Sequence, residues 1–241
     1  MEKIKGKVIL ITGGAQGLGK AICQVLACED NTILIADLQY EKATEVIRTV
    51  REKGCQGLAY TVDLCNEQSI AETIQSIKEK FGRLDVLINN AGVDVTKSVM
   101  EMSIGEWDRV INVNLRAPFL MAKSALPLMA AQHNGHIINI ISTAALRGWT
   151  EASAYHASKW GLRGFTQALF TEARRDNIKV SAIIAGGMKT PFLLDRFPDL
   201  DQTKLQDPMN VAQTIKFILT QPAETIIPEV MVLPLQETSW P

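Results

Sequence analysis

Five apolar runs, two of them broken by a single polar residue (Asn139 and Ser181) and each followed by residues at helical spacing, constrain this chain more than any other feature. The runs are Val8–Ile11, Ile33–Ala36, Val86–Ile88, Ile137–Ile141 and Val180–Ile184. A strand that is apolar at every position must be covered on both faces, because successive side chains point to opposite sides of a sheet. Helical periodicity follows around 41–54, 67–82, 103–132, 152–176 and 209–220. This alternation predicts an α/β domain: a doubly wound parallel sheet with helices on both faces and right-handed crossovers. A chain of 241 residues with 46% hydrophobic content supplies one large core of that kind. No repeat, low-complexity tract or linker divides it, so residues 1–241 are expected to form a single domain.

The first run passes directly into Gly13-Gly14-Ala15-Gln16-Gly17-Leu18-Gly19, and a helical pattern (Ile22, Val25, Leu26, Cys28) begins at once. Strand, glycine turn and helix N-terminus together make an anion site. The glycines let the backbone approach a pyrophosphate, and the unpaired N–H groups of the first helical turn point at it. The spacing is Gly-x-x-x-Gly-x-Gly rather than Gly-x-Gly-x-x-Gly. An ordinary strand–helix turn is the alternative. The second run ends at Asp37, 18 residues after Gly19. A carboxylate there accepts hydrogen bonds from an adenosine ribose diol and repels a 2′-phosphate. Gln16 and Leu38 occupy positions where an arginine would suit NADP(H), so the pattern favours NAD(H). Asp37 has a blander use as well, in starting the turn or capping a helix from Glu41.

Further along, Tyr155 and Lys159 stand four residues apart. On a helix they share one face. A nearby ammonium favours the phenolate, so Lys159 is expected to lower the Tyr155 pKa and make it a general acid/base for an alcohol oxygen. Alone, Tyr-x-x-x-Lys carries little information.

Together the motifs resemble the short-chain dehydrogenase/reductase family over nearly the whole chain, and the resemblance implies a Rossmann fold. Thr12 to Gly19 looks like the family's cofactor loop, with Gly13, Gln16, Gly17, Leu18 and Gly19 around the dinucleotide. Asp63, read as ending the third strand, occupies the usual adenine-contacting position. Asn89-Asn90-Ala91-Gly92 looks like the Asn-Asn-Ala-Gly signature, with Asn90 and Gly92 at the cofactor. Asn114, Ser142 (13 residues before Tyr155), Tyr155 and Lys159 match the catalytic tetrad. The resemblance implies hydride transfer at the nicotinamide, with proton exchange by Tyr155. Lys159 is implied to bind the nicotinamide ribose, Ser142 to hold the substrate oxygen, and Asn114 to hold a water against Lys159. Ser142 alternatively satisfies backbone at a strand end, and Asn114 alternatively bends or caps a helix. After the sixth strand, Met188 and Thr190 resemble the nicotinamide-contacting loop. Ala185 there replaces the family's usual proline, which leaves the loop less pre-organised.

A net charge of −1 gives no sign of a nucleic-acid or anionic-membrane surface, and no apolar run is long enough to span a membrane. Met1 to Lys5 leads straight into the first strand, so no signal peptide is expected and a cytoplasmic location is. Cys23, Cys28, Cys55 and Cys65 lack metal-ligand spacing and read as reduced, buried thiols; no metal is expected there or at His133 and His136.

The substrate is the least legible part. Val93, Asp94, Thr143 to Leu146, Trp149 and the stretch Phe192 to Gln206 are the pocket candidates, the last read as a mobile lid. Trp149 is either a pocket wall or core filling. No Arg or Lys cluster marks these segments, although Arg147 and Lys189 are near, so a neutral small-molecule alcohol or ketone is favoured. A 3-oxoacyl thioester reductase is the second enzymatic reading, and a non-catalytic NAD(H)-binding module the third. Glu229 to Leu233 reads as an edge strand, and Leu235 and Trp240 either dock on a neighbouring subunit or fray. Family resemblance implies a homodimer or homotetramer.

Overall fold

Each apolar run folds as a strand covered from two sides. The computed structural model describes residues 4–237. Within them the strands β1 (Val8–Thr12), β2 (Thr32–Asp37), β3 (Gln56–Thr61), β4 (Val86–Asn89), β5 (Gly135–Ser142), β6 (Ile178–Ala185) and β7 (Glu229–Val232) form one sheet. The strand order is β3-β2-β1-β4-β5-β6-β7, and every pairing is parallel. This is the single-domain Rossmann-type α/β fold expected.

Alternation along β1 explains why its apolar run is unbroken. Ile9 and Ile11 join one core with Ile22 of α1 (Gly17–Leu26), Ile47 of α2 (Tyr40–Arg51) and Ile215 of α8 (Pro208–Leu219). Val8 and Leu10 join the opposite core with Ile74 of α3 (Glu67–Phe81), Met121 of α5 (Ala117–Ala131) and Leu169 of α6 (Ser153–Ala173). Each fully buried Ile or Leu contributes roughly 1.5–3 kcal/mol. A polar substitution at any β1 position therefore enters one core or the other.

Asp85 fastens the other end of the central strands. Its carboxylate accepts from Val8 N at 2.9 Å and pairs with Arg83, while its backbone bonds Val8 O and receives His136 N. The Asp85 side chain is 1% exposed, whereas that of Arg83 is 48% exposed. Asp85→Ala is expected to cost about 3 kcal/mol, because it orphans a buried N–H and removes a charge-assisted bond. Thermal unfolding should show a Tm lower by roughly 6–12 °C. Arg83→Ala, removing only the exposed partner, should cost no more than about 1 kcal/mol.

Two sequence expectations need correction. Asp63 does not end the third strand: β3 stops at Thr61, and Asp63 lies exposed in the turn beyond, its Oδ1 accepting from Cys65 N at 2.9 Å. The helical segment expected around 103–132 is present, running from Ile104 to Ala131. A π-helical turn, Asn112–Arg116, separates α4 (Ile104–Ile111) from α5, shifting the backbone ladder by one residue. Finally, the thiols are not uniformly buried: Cys65 is exposed and Cys28 half-buried.

Candidate active site

The reversal of strand order between β1 and β4 opens a crevice at the strands' carboxyl ends, where ligands of such sheets bind. The glycine loop lines one side. Gly13 and Gly17 adopt φ of +65° and +54°, a region only glycine enters without strain. Gly19 serves a different need. A Cβ there would lie 2.0 Å from Gly13 O and 2.7 Å from Asn90 Nδ2. Asn90 Nδ2 donates to Thr12 O and Gly13 O, both at 3.0 Å, and so ties the end of β4 to the loop. Leu18 turns its side chain into the core, leaving its backbone in the first helical turn. Gln16, the N-cap residue of α1, makes no side-chain cap, and that turn holds no acid. By contrast α3, α4 and α8 are capped by Asn66, Ser103 and Asp207. The N–H groups of α1 are thus left for an anion, which fits a pyrophosphate at this position.

Asp37 is held beside the loop. Its Oδ2 accepts from Ala15 N at 3.0 Å and its Oδ1 from Gln39 N at 2.9 Å. It therefore braces the glycine turn as well as starting its own, and it does not cap α2, whose N-cap residue Gln39 makes no side-chain cap. Leu38 next to it is 66% exposed.

Asn114, Ser142, Tyr155 and Lys159 assemble on the other side. Lys159 and Tyr155 occupy one face of α6, and Ser142 ends β5. Ser142 Oγ accepts from Ala144 N at 3.2 Å and hydrogen-bonds the Tyr155 hydroxyl. Lys159 Nζ donates to Ile140 O at 2.9 Å. Asn114, fully buried in the π turn, accepts from Val93 N and donates to Val93 O, both at 2.8 Å, and also donates to Ser158 Oγ at 3.0 Å. Its side chain is thus committed to holding the strand-end loop. Gly92 lies between these groups: a Cβ there would stand 3.5 Å from Asn114 Oδ1 and 3.8 Å from Lys159 Nζ.

The expected depression of the Tyr155 pKa by Lys159 does not hold in this structure. Burial pushes the phenol up to about 12, with Asp94 adding to the rise; the Ser142 hydrogen bond and Arg196 oppose it. Burial also pulls Lys159 down to about 8. The ammonium is directed to a carbonyl, 5.6 Å from the Tyr155 ring centroid, so desolvation outweighs the pairing. Tyr155 is therefore held as an acid.

Thr190 joins the two sides. It is 5% exposed, and its Cβ lies 3.4 Å from where a Gly17 Cβ would be. Met188 forms a bridge to Gln206, and its carbonyl accepts from Thr190 N at 2.8 Å. Glu237 Oε2 accepts from Gly187 N at 2.9 Å, so the chain near its end braces the loop that Ala185 was expected to leave loose. Leu235 is fully exposed, β7 stops one residue short of Leu233, and Trp240 lies outside the described residues.

Two groups escaped the sequence reading. His156 receives Trp149 N on Nε2 at 3.1 Å and contacts Ala144 O through Nδ1 at 2.8 Å, which puts the ring proton on Nδ1. Its ring stacks edgewise on Trp149 at 4.3 Å, so Trp149 packs on this loop and does not fill the core. Arg196 pairs with Asp94, and Phe192 lies 5.9 Å from the Tyr155 ring. A single cation from the stretch Phe192 to Gln206 therefore lies near Tyr155, paired and not part of a cluster. No linear spacing announces either arrangement.

Fold and site define a Rossmann-type enzyme that handles a hydroxyl or carbonyl at the mouth of a parallel sheet. The family profile described as short chain dehydrogenase matches residues 7–201, and the chain belongs to this family of oxidoreductases. Cyclopentanol dehydrogenase of Comamonas testosteroni is 31% identical over 237 residues, covering 94% of each chain. The 3-oxoacyl-(acyl-carrier-protein) reductase FabG of Thermotoga maritima is 30% identical over 238 residues, covering 95% of this chain and 96% of its own. A metagenomic short-chain oxidoreductase solved in complex with NADP superposes with a TM-score of 0.86 at 31% identity, over 97% of this chain and 99% of that one. Among the described residues no helix is long and apolar enough to cross a membrane, and no metal-binding cluster occurs.

Proposed function

We propose that this protein is an NAD(H)-dependent oxidoreductase that interconverts a secondary alcohol and a ketone, with Tyr155 as general acid/base. The observation that carries the reading is the Tyr155 hydroxyl, hydrogen-bonded to Ser142 and set on one helix face with the buried Lys159. Bound NAD(H) supplies the hydride chemistry at its nicotinamide. The glycine loop and the uncapped start of α1 would hold its pyrophosphate, Asp37 its adenosine ribose, Asp63 the adenine side, and Asn90, Gly92, Met188 and Thr190 the nicotinamide half. Ser142 donates to the substrate oxygen and orients it. Tyr155 gives that oxygen its proton in reduction and takes it back in oxidation. Lys159 would hold the nicotinamide ribose, and its charge stabilises the phenolate left after proton transfer. Asn114 keeps the loop carrying Val93 in register with α6.

The FabG relative favours 3-oxoacyl thioester reduction as the second reading, with the same residues in the same roles. Homo-oligomerisation through α5 and α6 is part of the proposal, since Phe119 and Trp160 on those helices are exposed. So is a cytoplasmic location, which suits four free cysteines.

Cofactor choice is tested at Asp37. Asp37→Ala with Leu38→Arg removes the repelling carboxylate and adds a phosphate partner. The ratio of kcat/KM for NADPH over NADH is expected to rise by about two orders of magnitude. A wild-type protein that already prefers NADPH would contradict the assignment to NAD(H).

A further inference from the structure

Folding brings a cation to the pocket and cancels it there. Arg196 and Asp94 are 102 positions apart in sequence, yet Arg196 Nη1 donates to Asp94 Oδ2. Asp94 also accepts from Val95 N at 2.7 Å. Arg196 Nε donates to Phe192 O at 2.9 Å, and its guanidinium lies 4.4 Å from the Phe192 ring centroid and 5.3 Å from that of Phe197. A carboxylate, a carbonyl and two rings fix its orientation. Side-chain exposure is 22% for Arg196 and 7% for Asp94, so the pair is largely out of water. Both charges reach the reacting groups: Asp94 acts on Tyr155 and Lys159, and Arg196 on Tyr155.

We propose that Asp94 determines the charge of the accepted substrate: by occupying Arg196 it excludes ketones that carry a carboxylate near the reacting carbon and selects uncharged ones. The inference rests on the oxidoreductase reading above and narrows its substrate class. An anionic substrate must take Arg196 from Asp94. That leaves a buried carboxylate without its counter-ion and sets two negative charges side by side. An uncharged ketone leaves the pair intact. Rejection by an unpaired charge is a common route to specificity.

The test uses one carbon skeleton in two charge states, 3-oxobutanoate and its methyl ester. Binding is read by quenching of NADH fluorescence in the protein–NADH complex, and turnover by NADH oxidation. Wild-type protein is expected to bind the ester at least about 30-fold more tightly than the acid. Asp94→Asn should move that ratio toward the acid by about tenfold or more. Adding Arg196→Met to it should abolish the gain, since the freed guanidinium is its source. Arg196→Met alone leaves Asp94 uncompensated and should widen the ratio, which keeps the test intact if Asp94→Asn folds poorly. Equal binding of acid and ester by wild type, an unchanged ratio in Asp94→Asn, or a gain that survives loss of Arg196 would each overturn the inference. Charge-selective binding without hydride transfer counts against the oxidoreductase reading alone. Turnover without charge selection counts against Asp94 alone.

Discussion

Tyr155→Phe is expected to lower kcat by about three orders of magnitude while leaving NADH affinity within a few-fold of wild type. General acid/base catalysis typically contributes about 10²–10⁴-fold, and the phenol hydroxyl is the group here placed to supply it. The substitution removes one oxygen and its bond to Ser142. The ring stays, 8% exposed and packed against Phe192, so the fold is retained. Steady-state kinetics paired with a fluorescence titration of NADH separates the two effects. Near-normal turnover with weakened cofactor binding would reassign Tyr155 from chemistry to cofactor contact.

The second large effect is expected at Gly19. A methyl group there meets Gly13 O at 2.0 Å and Gly13 C at 2.8 Å, and backbone of a loop braced by Asn90 and Asp37 has nowhere to retreat. Gly19→Ala should cost about 2–3 kcal/mol in stability, as overpacking of a tight contact does. NADH affinity should fall about 100-fold, since displacing the loop misdirects the N–H groups at the start of α1. Chemical denaturation and cofactor titration measure the two. Gly105→Ala is the control: nothing lies within 4 Å of its added Cβ, and it should be neutral or slightly stabilising. Equal behaviour of the two variants would show that the close approach at Gly19 is not what shapes the loop.

How much of this was legible in the sequence depends on how local each determinant is. The central strands were readable because both faces of β1, β2, β4, β5 and β6 are buried, which makes most of their residues apolar, with buried exceptions such as Asn139 and Ser181. β3 was not readable as a run: it lies at the sheet edge, and Gln56 and Thr61 face solvent while Tyr60 is half-buried. The glycine turn after β1, the place of Asp37 at the end of β2 and the shared helix face of Tyr155 and Lys159 were legible because each is set by a short spacing. The π turn around Asn114 was not, because a widened backbone turn has no residue signature of its own. The elevated Tyr155 pKa follows from burial, which spacing to Lys159 does not report. Arg196 was missed for the same reason, since only the fold brings it to Asp94.

The most direct test of the central claim is transfer of deuterium from NADH labelled at the nicotinamide C4. The protein is incubated with the labelled cofactor and a panel of uncharged ketones and 3-oxoacyl thioesters, and the products are read by mass spectrometry. Deuterium on the carbinol carbon of at least one product, lost in Tyr155→Phe, is the result expected. Tight NADH binding with no deuterium in any product would contradict the account and leave a dinucleotide-binding protein without this chemistry.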